Sequence, residues 1–228
     1  MKVSCILASY NRPNWVRQAI GSVAAQTHKD YQLIVIDDST IFKVSDAVKE
    51  FPLTEVKVVH FDVKTEDRRK KNRLSININH GLKLATGGLV CYLGDDDYYY
   101  PDWFRSASDF FESAPSIHAG FGKLRYTRSR EREYPKEGEI RFFETPLKDP
   151  YCRLDHNQII HRRFTPPVPW DEALHTVSAP DGLFMRAVGA KYPFHPIHAF
   201  AAVKRLHDKN LQQAVPEYRA GKLEGPRE

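Results

Sequence analysis

Cysteine is scarce in this 228-residue chain: Cys5, Cys91 and Cys152 stand far apart. No pair has the close spacing of a zinc site, and an odd set makes no closed disulfide framework. Cys5 and Cys91 fall inside apolar runs and read as small buried hydrophobes of a reducing compartment. Long hydrophobic runs are missing too, so no segment has the length to span a bilayer. Met1–Lys2 leads straight into an apolar stretch without the pattern of a signal peptide. The expected location is therefore the cytoplasm, with the inner membrane surface as the second candidate. Residues 8–14 (ASYNRPN) contain no glycine, which argues against the Gly-rich phosphate loop of a nucleotidyltransferase. No internal repeat and no clear linker divides the chain. It reads as one composite domain over residues 1–228, with a ligand-binding half to about 100, a second half to about 210 and a polar tail after it.

An apolar fraction of 41% is ordinary for a globular protein. The net charge of +5 is concentrated in Lys64–Arg73 (KTEDRRKKNR) and Lys123–Lys136 (KLRYTRSREREYPK), both mixed with acids. These segments read either as solvated faces or as attraction to a polyanion such as nucleic acid, an anionic glycan or an acidic membrane surface.

The first half alternates two periodicities. Val3–Ala8, Leu33–Ile36, Val56–Phe61 and Leu89–Leu93 are short apolar runs of the buried-strand kind. Between them, helices are expected from Pro13 to about Gln26, over Phe42–Phe51, and from about Lys71 to Ala85. This β-α-β-α-β-α-β order predicts a largely parallel sheet covered by helices. The second half is less regular. A helix is expected over Pro101–Glu112, a hairpin from Ile117–Tyr126 and Glu139–Phe143, a short strand over Asn157–His161, and a helix over Ala179–Val188.

Ligands in such sheets sit beyond the carboxyl ends of the strands. Three of those ends carry polar clusters: Ser9–Tyr10–Asn11–Arg12, Asp37–Asp38–Ser39 and Asp95–Asp96–Asp97. Parallel strands would bring all three to one edge. Three adjacent carboxylates at an apolar strand end repel one another and call for a countercharge. A hard divalent cation, Mn²⁺ or Mg²⁺, prefers such oxygens and would in turn hold a phosphate. The alternative is a solvated acidic turn.

Five segments in order, VSCILASYNRPNWVRQAIGSVAAQTHKDYQLIVIDDST, NHGLKLATGGLVCYLGDDDYYYPDWF, LDHNQIIHRR, WDEA and PDGLFMRAV, resemble the inverting family 2 glycosyltransferases, most closely the spore-coat polysaccharide type. The likeness runs from about residue 2 to 208. It implies the GT-A fold: a Rossmann-like, mostly parallel central sheet flanked by helices, with a smaller mixed sheet on the acceptor side. It also implies a UDP-sugar donor, UDP-glucose or UDP-galactose by default, and one direct displacement.

The resemblance suggests roles residue by residue. Asp38 would accept from the uracil imide, with Ala8, Ser9, Tyr10 and Arg12 around the nucleotide and Arg73 near the base and diphosphate. Asp95 would contact the ribose. Asp96, with Asp97 and the late His207, would hold the metal. Relatives often have an acid at the position of Gly94, so the weight here shifts to Asp95 and Asp96. Asp181 would be the general base, although it could equally cap a helix. Asp155, His156 and Trp170 would border the sugar and acceptor pockets, and Asp171–Glu172 are rival candidates for the base. The expected acceptor is a glycan or another hydroxyl compound. The basic segments motivate a second acceptor, a hydroxymethylated base in DNA. A third reading is an inactive nucleotide-sugar-binding protein.

Overall fold

The computed structural model describes residues 1–64, 66–68, 70–128, 138–173 and 179–206. Its first half is β1 (Val3–Ser9), α1 (Pro13–Ala24), β2 (Tyr31–Asp37), α2 (Val44–Val48), β3 (Val56–His60), α3 (Arg73–Leu84) and β4 (Leu89–Gly94). β1 and β2 are buried along their whole length, as continuous apolar runs in a covered parallel sheet should be. Pro13 opens α1, where its missing N–H costs nothing, and Val16, Ala19, Ile20 and Val23 form the buried stripe. Asn72 caps α3: its Oδ1 accepts the Ser75 N–H at 3.1 Å.

The second half comprises β5 (Tyr98–Tyr99), α4 (Trp103–Ser113), β6 (Ala119–Arg128), β7 (Ile140–Arg141), a 3-10 helix (His156–Gln158), β8 (Ile159–Arg162), α5 (Pro180–Gly189) and β9 (Phe194–Leu206). The sheet runs β3-β2-β1-β4-β8-β6-β9-β5, with β7 beside β6. Its β3-β2-β1-β4 half is parallel. β8 pairs antiparallel with both β4 and β6 and so joins the mixed half to the parallel half in one continuous sheet. β9 lies parallel to β6, with register shifts between Phe121 and Leu124.

Alternate residues of β1 feed opposite cores. Cys5 and Leu7 pack with α1, α2 and α4, whereas Ile6 and Ala8 pack with α3 and α5. The expected small buried thiols, Cys5 and Cys91, are both free and buried. His161 and Arg162, read from sequence as strand-end structure, are that. His161 bonds Tyr92 Oη at 2.7 Å, and Arg162 bonds the carbonyls of Phe111 and Ile117 at 2.7 and 2.8 Å. No helix among the described residues is long and apolar enough to cross a membrane.

Candidate active site

In the order β3-β2-β1-β4 the parallel strands are added outward in one direction from β1 and then, with β4, on its other side, so the winding reverses between β1 and β4, where open α/β sheets bind ligands. Ser9 is in register with Asp37, and Ala8 with Gly94. The three polar clusters foreseen from the sequence therefore meet at one edge. Asn11 staples two of them. It holds a left-handed backbone (φ 53°), which asparagine tolerates better than most residues. Its Oδ1 accepts the Thr40 N–H at 2.8 Å, and its own N–H donates to Ser39 Oγ at 3.0 Å. Asp37 braces the same loop, accepting from the N–H groups of Ser39 and Val44 at 2.9 and 3.2 Å.

Asp38 is buried, and Arg73 grips it with two hydrogen bonds, both 2.8 Å, the fork geometry suited to a carboxylate. Arg68, not singled out in the sequence, joins them. Its Nη2 donates to the Asp38 carbonyl at 2.7 Å, and its guanidinium lies 4.7 Å over the ring of Tyr10. Tyr10 is 47% exposed, so it faces outward and is not a packed strand-end side chain. Ser9 Oγ and Arg68 Nε are buried without a hydrogen-bond partner among the described residues.

The three carboxylates of Asp95, Asp96 and Asp97 serve differently. Asp95 accepts the Tyr10 N–H at 2.8 Å and Arg12 Nη1 at 2.7 Å, while Asp96 Oδ2 lies 3.1 Å from the same nitrogen. Burial pushes Asp95 up to about 6, against the pull of Arg12 and with a further push from Asp96. Asp97, expected as a metal ligand, has both oxygens on protein donors: Asn157 Nδ2 at 2.7 Å and the Arg205 N–H at 2.7 Å. Lys204 Nζ stands 3.7 Å away, and burial raises Asp97 to about 7 despite that lysine. Asp97 thus ties β4 to β9 and the 3-10 helix. Gly94 belongs to this arrangement, because a Cβ there would lie 3.0 Å from Asp96 Oδ1. An acid at this position would crowd the carboxylates that follow.

Among the described residues no three His, Cys, Asp or Glu side chains group into a ready-made metal cage. Asp95 has its oxygens on the Tyr10 N–H and Arg12, and Asp96 Oδ2 faces the same guanidinium, so a cation held here in the usual manner of Mg²⁺, by one or two carboxylates and ligand phosphates, would share these oxygens with Arg12. His207 lies outside the described residues.

On the other side of Asp97, Lys204 Nζ bonds Asp155 Oδ2 at 2.7 Å. Asp155 also accepts from the backbone and side chain of Asn157 at 3.0 and 2.6 Å. Burial would raise the Asp155 carboxyl, but Lys204, His156 and these bonds hold it far below the usual carboxylate range. His156 Nδ1 sits 3.6 Å from Asp155 Oδ1 and 3.6 Å from Asp181 Oδ2. Asp181 is in the first turn of α5 and is not its cap, since Ala179 holds that position. Its Oδ1 accepts the Gly182 N–H at 2.9 Å, and its side chain is 20% exposed.

Trp170, expected at the acceptor side, is instead a core residue with 1% exposure, its ring stacked 5.2 Å from Phe184. It does form one wall of an open cavity of about 540 Å³ shared with Asn79, Asp171 and Glu172. Glu172 accepts from Asn79 Nδ2 at 3.0 Å and receives Lys71 at 3.5 Å, so it braces α3. Arg68, Asn157, Lys204 and Arg205 were the residues not foreseen. Arg68 lies in the basic KTEDRRKKNR segment and Asn157 in LDHNQIIHRR, without being singled out there, and Lys204 and Arg205 shortly precede His207, which was.

The family described as Glycosyl transferase family 2 matches residues 4–165. The chain belongs to this family. The chain is 28% identical over 206 residues to Protein CgeD of Bacillus subtilis, covering 86% of this chain and 48% of that one. An uncharacterized glycosyltransferase of Rickettsia felis is 31% identical over 125 residues, 54% of this chain and 20% of its own. The glycosyltransferase fold is that of S. aureus TarS 1-349, solved in complex with UDP-GlcNAc. The TM-score is 0.70 at 19% identity, covering 92% of this chain and 60% of that one. The complex of the same protein with UDP matches at a TM-score of 0.66. The chain spans about half the length of CgeD and three-fifths of the TarS structure. The expected GT-A fold and family are thus borne out.

Proposed function

We propose that this chain transfers a sugar from a UDP-sugar to a hydroxyl acceptor, with inversion and with help from a divalent cation. The observation that carries the reading is the convergence of the Asp38–Arg73 pair and the Asp95–Asp96–Arg12 group on one sheet edge. TarS, with the same fold, binds UDP-GlcNAc and UDP. UDP-GlcNAc therefore joins UDP-glucose and UDP-galactose as a donor to test.

Asp38 accepts the uracil imide proton while Arg73 fixes the orientation of its carboxylate. Tyr10 offers its exposed face to the base, and Arg68, Ser9 and Ala8 bound the pocket. Asp95 accepts from the ribose hydroxyls. Asp96, with His207 as the family resemblance suggests, would hold Mn²⁺ or Mg²⁺, a role in which Asp97 is limited by its protein donors. When bound, the ion would neutralise charge developing on the departing diphosphate. Arg12 adds a fixed positive charge at the same place. Asp181 takes the proton of the acceptor hydroxyl as its oxygen attacks the anomeric carbon. The new carbon–oxygen bond forms while the bond to the diphosphate oxygen breaks, and that electron pair leaves with UDP.

A glycan is the first acceptor to test. The hydroxymethylated DNA base is second, since Arg68 and Arg73 of one basic segment are engaged at Asp38. The test is release of UDP from the three donors with Mn²⁺ or with EDTA, with and without hydroxymethylated duplex DNA. Metal-dependent release from one donor is expected. Stimulation by DNA would name the acceptor class. Binding of donors with no release under any condition would favour the inactive nucleotide-sugar-binding reading.

A further inference from the structure

His156 stands where no step of the proposed reaction uses it. Its Nδ1 faces two carboxylates from different elements at the same 3.6 Å: Asp155, which precedes the 3-10 helix, and Asp181 on α5. The two are unlike. Asp155 is fixed by Lys204 and Asn157 and is buried at 4% exposure. Asp181 is partly open to solvent, and among the described residues its oxygens are faced by the adjacent Gly182 N–H and by His156. The ring is seated between them by the edge of Trp170 at 6.1 Å, and Trp170 stacks on Phe184 of the same helix as Asp181. A single N–H on Nδ1 can serve one carboxylate at a time. Asp155 is already satisfied by other donors, so Asp181 is the one that depends on the ring.

We infer that His156 is a positioning residue for Asp181, holding the Oδ2 of its carboxylate toward the incoming hydroxyl and setting how readily it accepts a proton. The inference rests on the reading of Asp181 as the base. The charged groups around the ring are Asp155 ahead of the 3-10 helix, Asp181 on α5 and Lys204 on β9. Burial and Lys204 lower the affinity of the ring for a proton, and the two carboxylates more than offset this. Loss of the ring should slow transfer without touching nucleotide binding, because Asp38 and Asp96 follow β2 and β4 and Arg73 opens α3, away from the 3-10 helix and α5.

The experiment compares wild type with His156→Phe, His156→Asn, Asp181→Asn and the double variant. It reads UDP release from UDP-GlcNAc with Mn²⁺ across pH, UDP affinity by calorimetry, and the His156 ring titration by NMR. General-base catalysis contributes roughly 10²–10⁴-fold, so a positioning share should cost about tenfold or more. His156→Phe should lose that turnover with unchanged UDP affinity and a displaced pH profile. His156→Asn, whose amide N–H can replace Nδ1–H, should recover part of it. The double variant should be no slower than Asp181→Asn. Asp181→Asn should lower the His156 midpoint. Retained UDP affinity identifies the variants as folded, and the asparagine variant serves if the phenylalanine one is not. Wild-type turnover and pH profile in the His156 variants, or a His156 midpoint unmoved by Asp181→Asn, would overturn the inference. Full activity of Asp181→Asn would instead remove Asp181 as the base.

Discussion

Lys204 Nζ lies 2.7 Å from Asp155 Oδ2 and 3.7 Å from Asp97 Oδ2, all three residues being buried. Burial opposes the charge on Lys204, but Asp155, Asp97 and Asp96 hold its proton affinity well above the ordinary value. The lysine joins the acidic end of β4 to the turn that carries His156. Removing one member of a buried charged group typically costs about 3–5 kcal/mol because its partners stay buried without a countercharge. Lys204→Met should lose that much in urea unfolding at pH 7. The Asp155 share of this stability has a defined pH range. A depressed carboxyl stabilises the native state above its unfolded value and loses that contribution as pH falls. The lysine variant should therefore show less acid loss between about pH 4 and 2 than wild type.

The two hydrogen bonds from Arg73 to Asp38 depend on a planar fork. A lysine can supply only one point charge there. Arg73→Lys should weaken UDP affinity by about tenfold, roughly 1.4 kcal/mol, with little change in melting temperature. Equal UDP affinity in the variant would mean that the pair does not orient the base-binding carboxylate.

Asn11 contributes both a backbone shape and side-chain bonds, and two substitutions separate them. Asn11→Gly keeps easy access to φ 53° but loses the bonds to Thr40. Asn11→Ala loses both and should be less stable than the glycine variant by about 1–2 kcal/mol, the ordinary cost of a left-handed residue with a Cβ. Paired urea curves give the difference directly.

Asp95 predicts how the cation responds to pH. Its native value of about 6 exceeds the unfolded value near 3.9. The cation-free native state therefore binds the extra proton between these values, and this contribution to stability falls as pH rises through that range. A bound cation reverses the preference, because it requires the carboxylates ionised. The rise in melting temperature on adding Mn²⁺ should be full at pH 8 and largely lost at pH 5.5. A rise that does not vary with pH would contradict a site built on this carboxylate group.

The parallel half of the sheet was legible because β1, β2 and β4, buried on both faces, leave continuous apolar runs and Pro13 marks a helix start, whereas β3, read as another buried strand, is the partly exposed edge. The strand-end clusters were legible for the same reason, since parallel order alone brings Ser9, Asp38 and Asp95 together. The helix expected over Phe42–Phe51 shortened to Val44–Val48, beside the loop that Asp37 braces. β9 escaped notice because Pro196 and two histidines interrupt its pattern and its pairing with β6 changes register. With β9 unread, Lys204 and Arg205 had no visible route to Asp97, which lies 108 residues before Arg205. Trp170 was placed at the acceptor by motif order, whereas its fit against Tyr92 and Phe184 makes it core. The contacts that distinguish Asp97 from Asp96 are all tertiary, and three identical letters in a row carry no trace of them.

The most direct measurement is a calorimetric titration of UDP into wild type, Asp38→Asn and Asp96→Ala, each with Mn²⁺ and with EDTA. Wild type should bind UDP more strongly with Mn²⁺, Asp38→Asn should lose affinity under both conditions, and Asp96→Ala should lose only the Mn²⁺-dependent part. UDP affinity unchanged by both substitutions, or absent from wild type, would contradict a nucleotide site at the carboxyl ends of β1, β2 and β4.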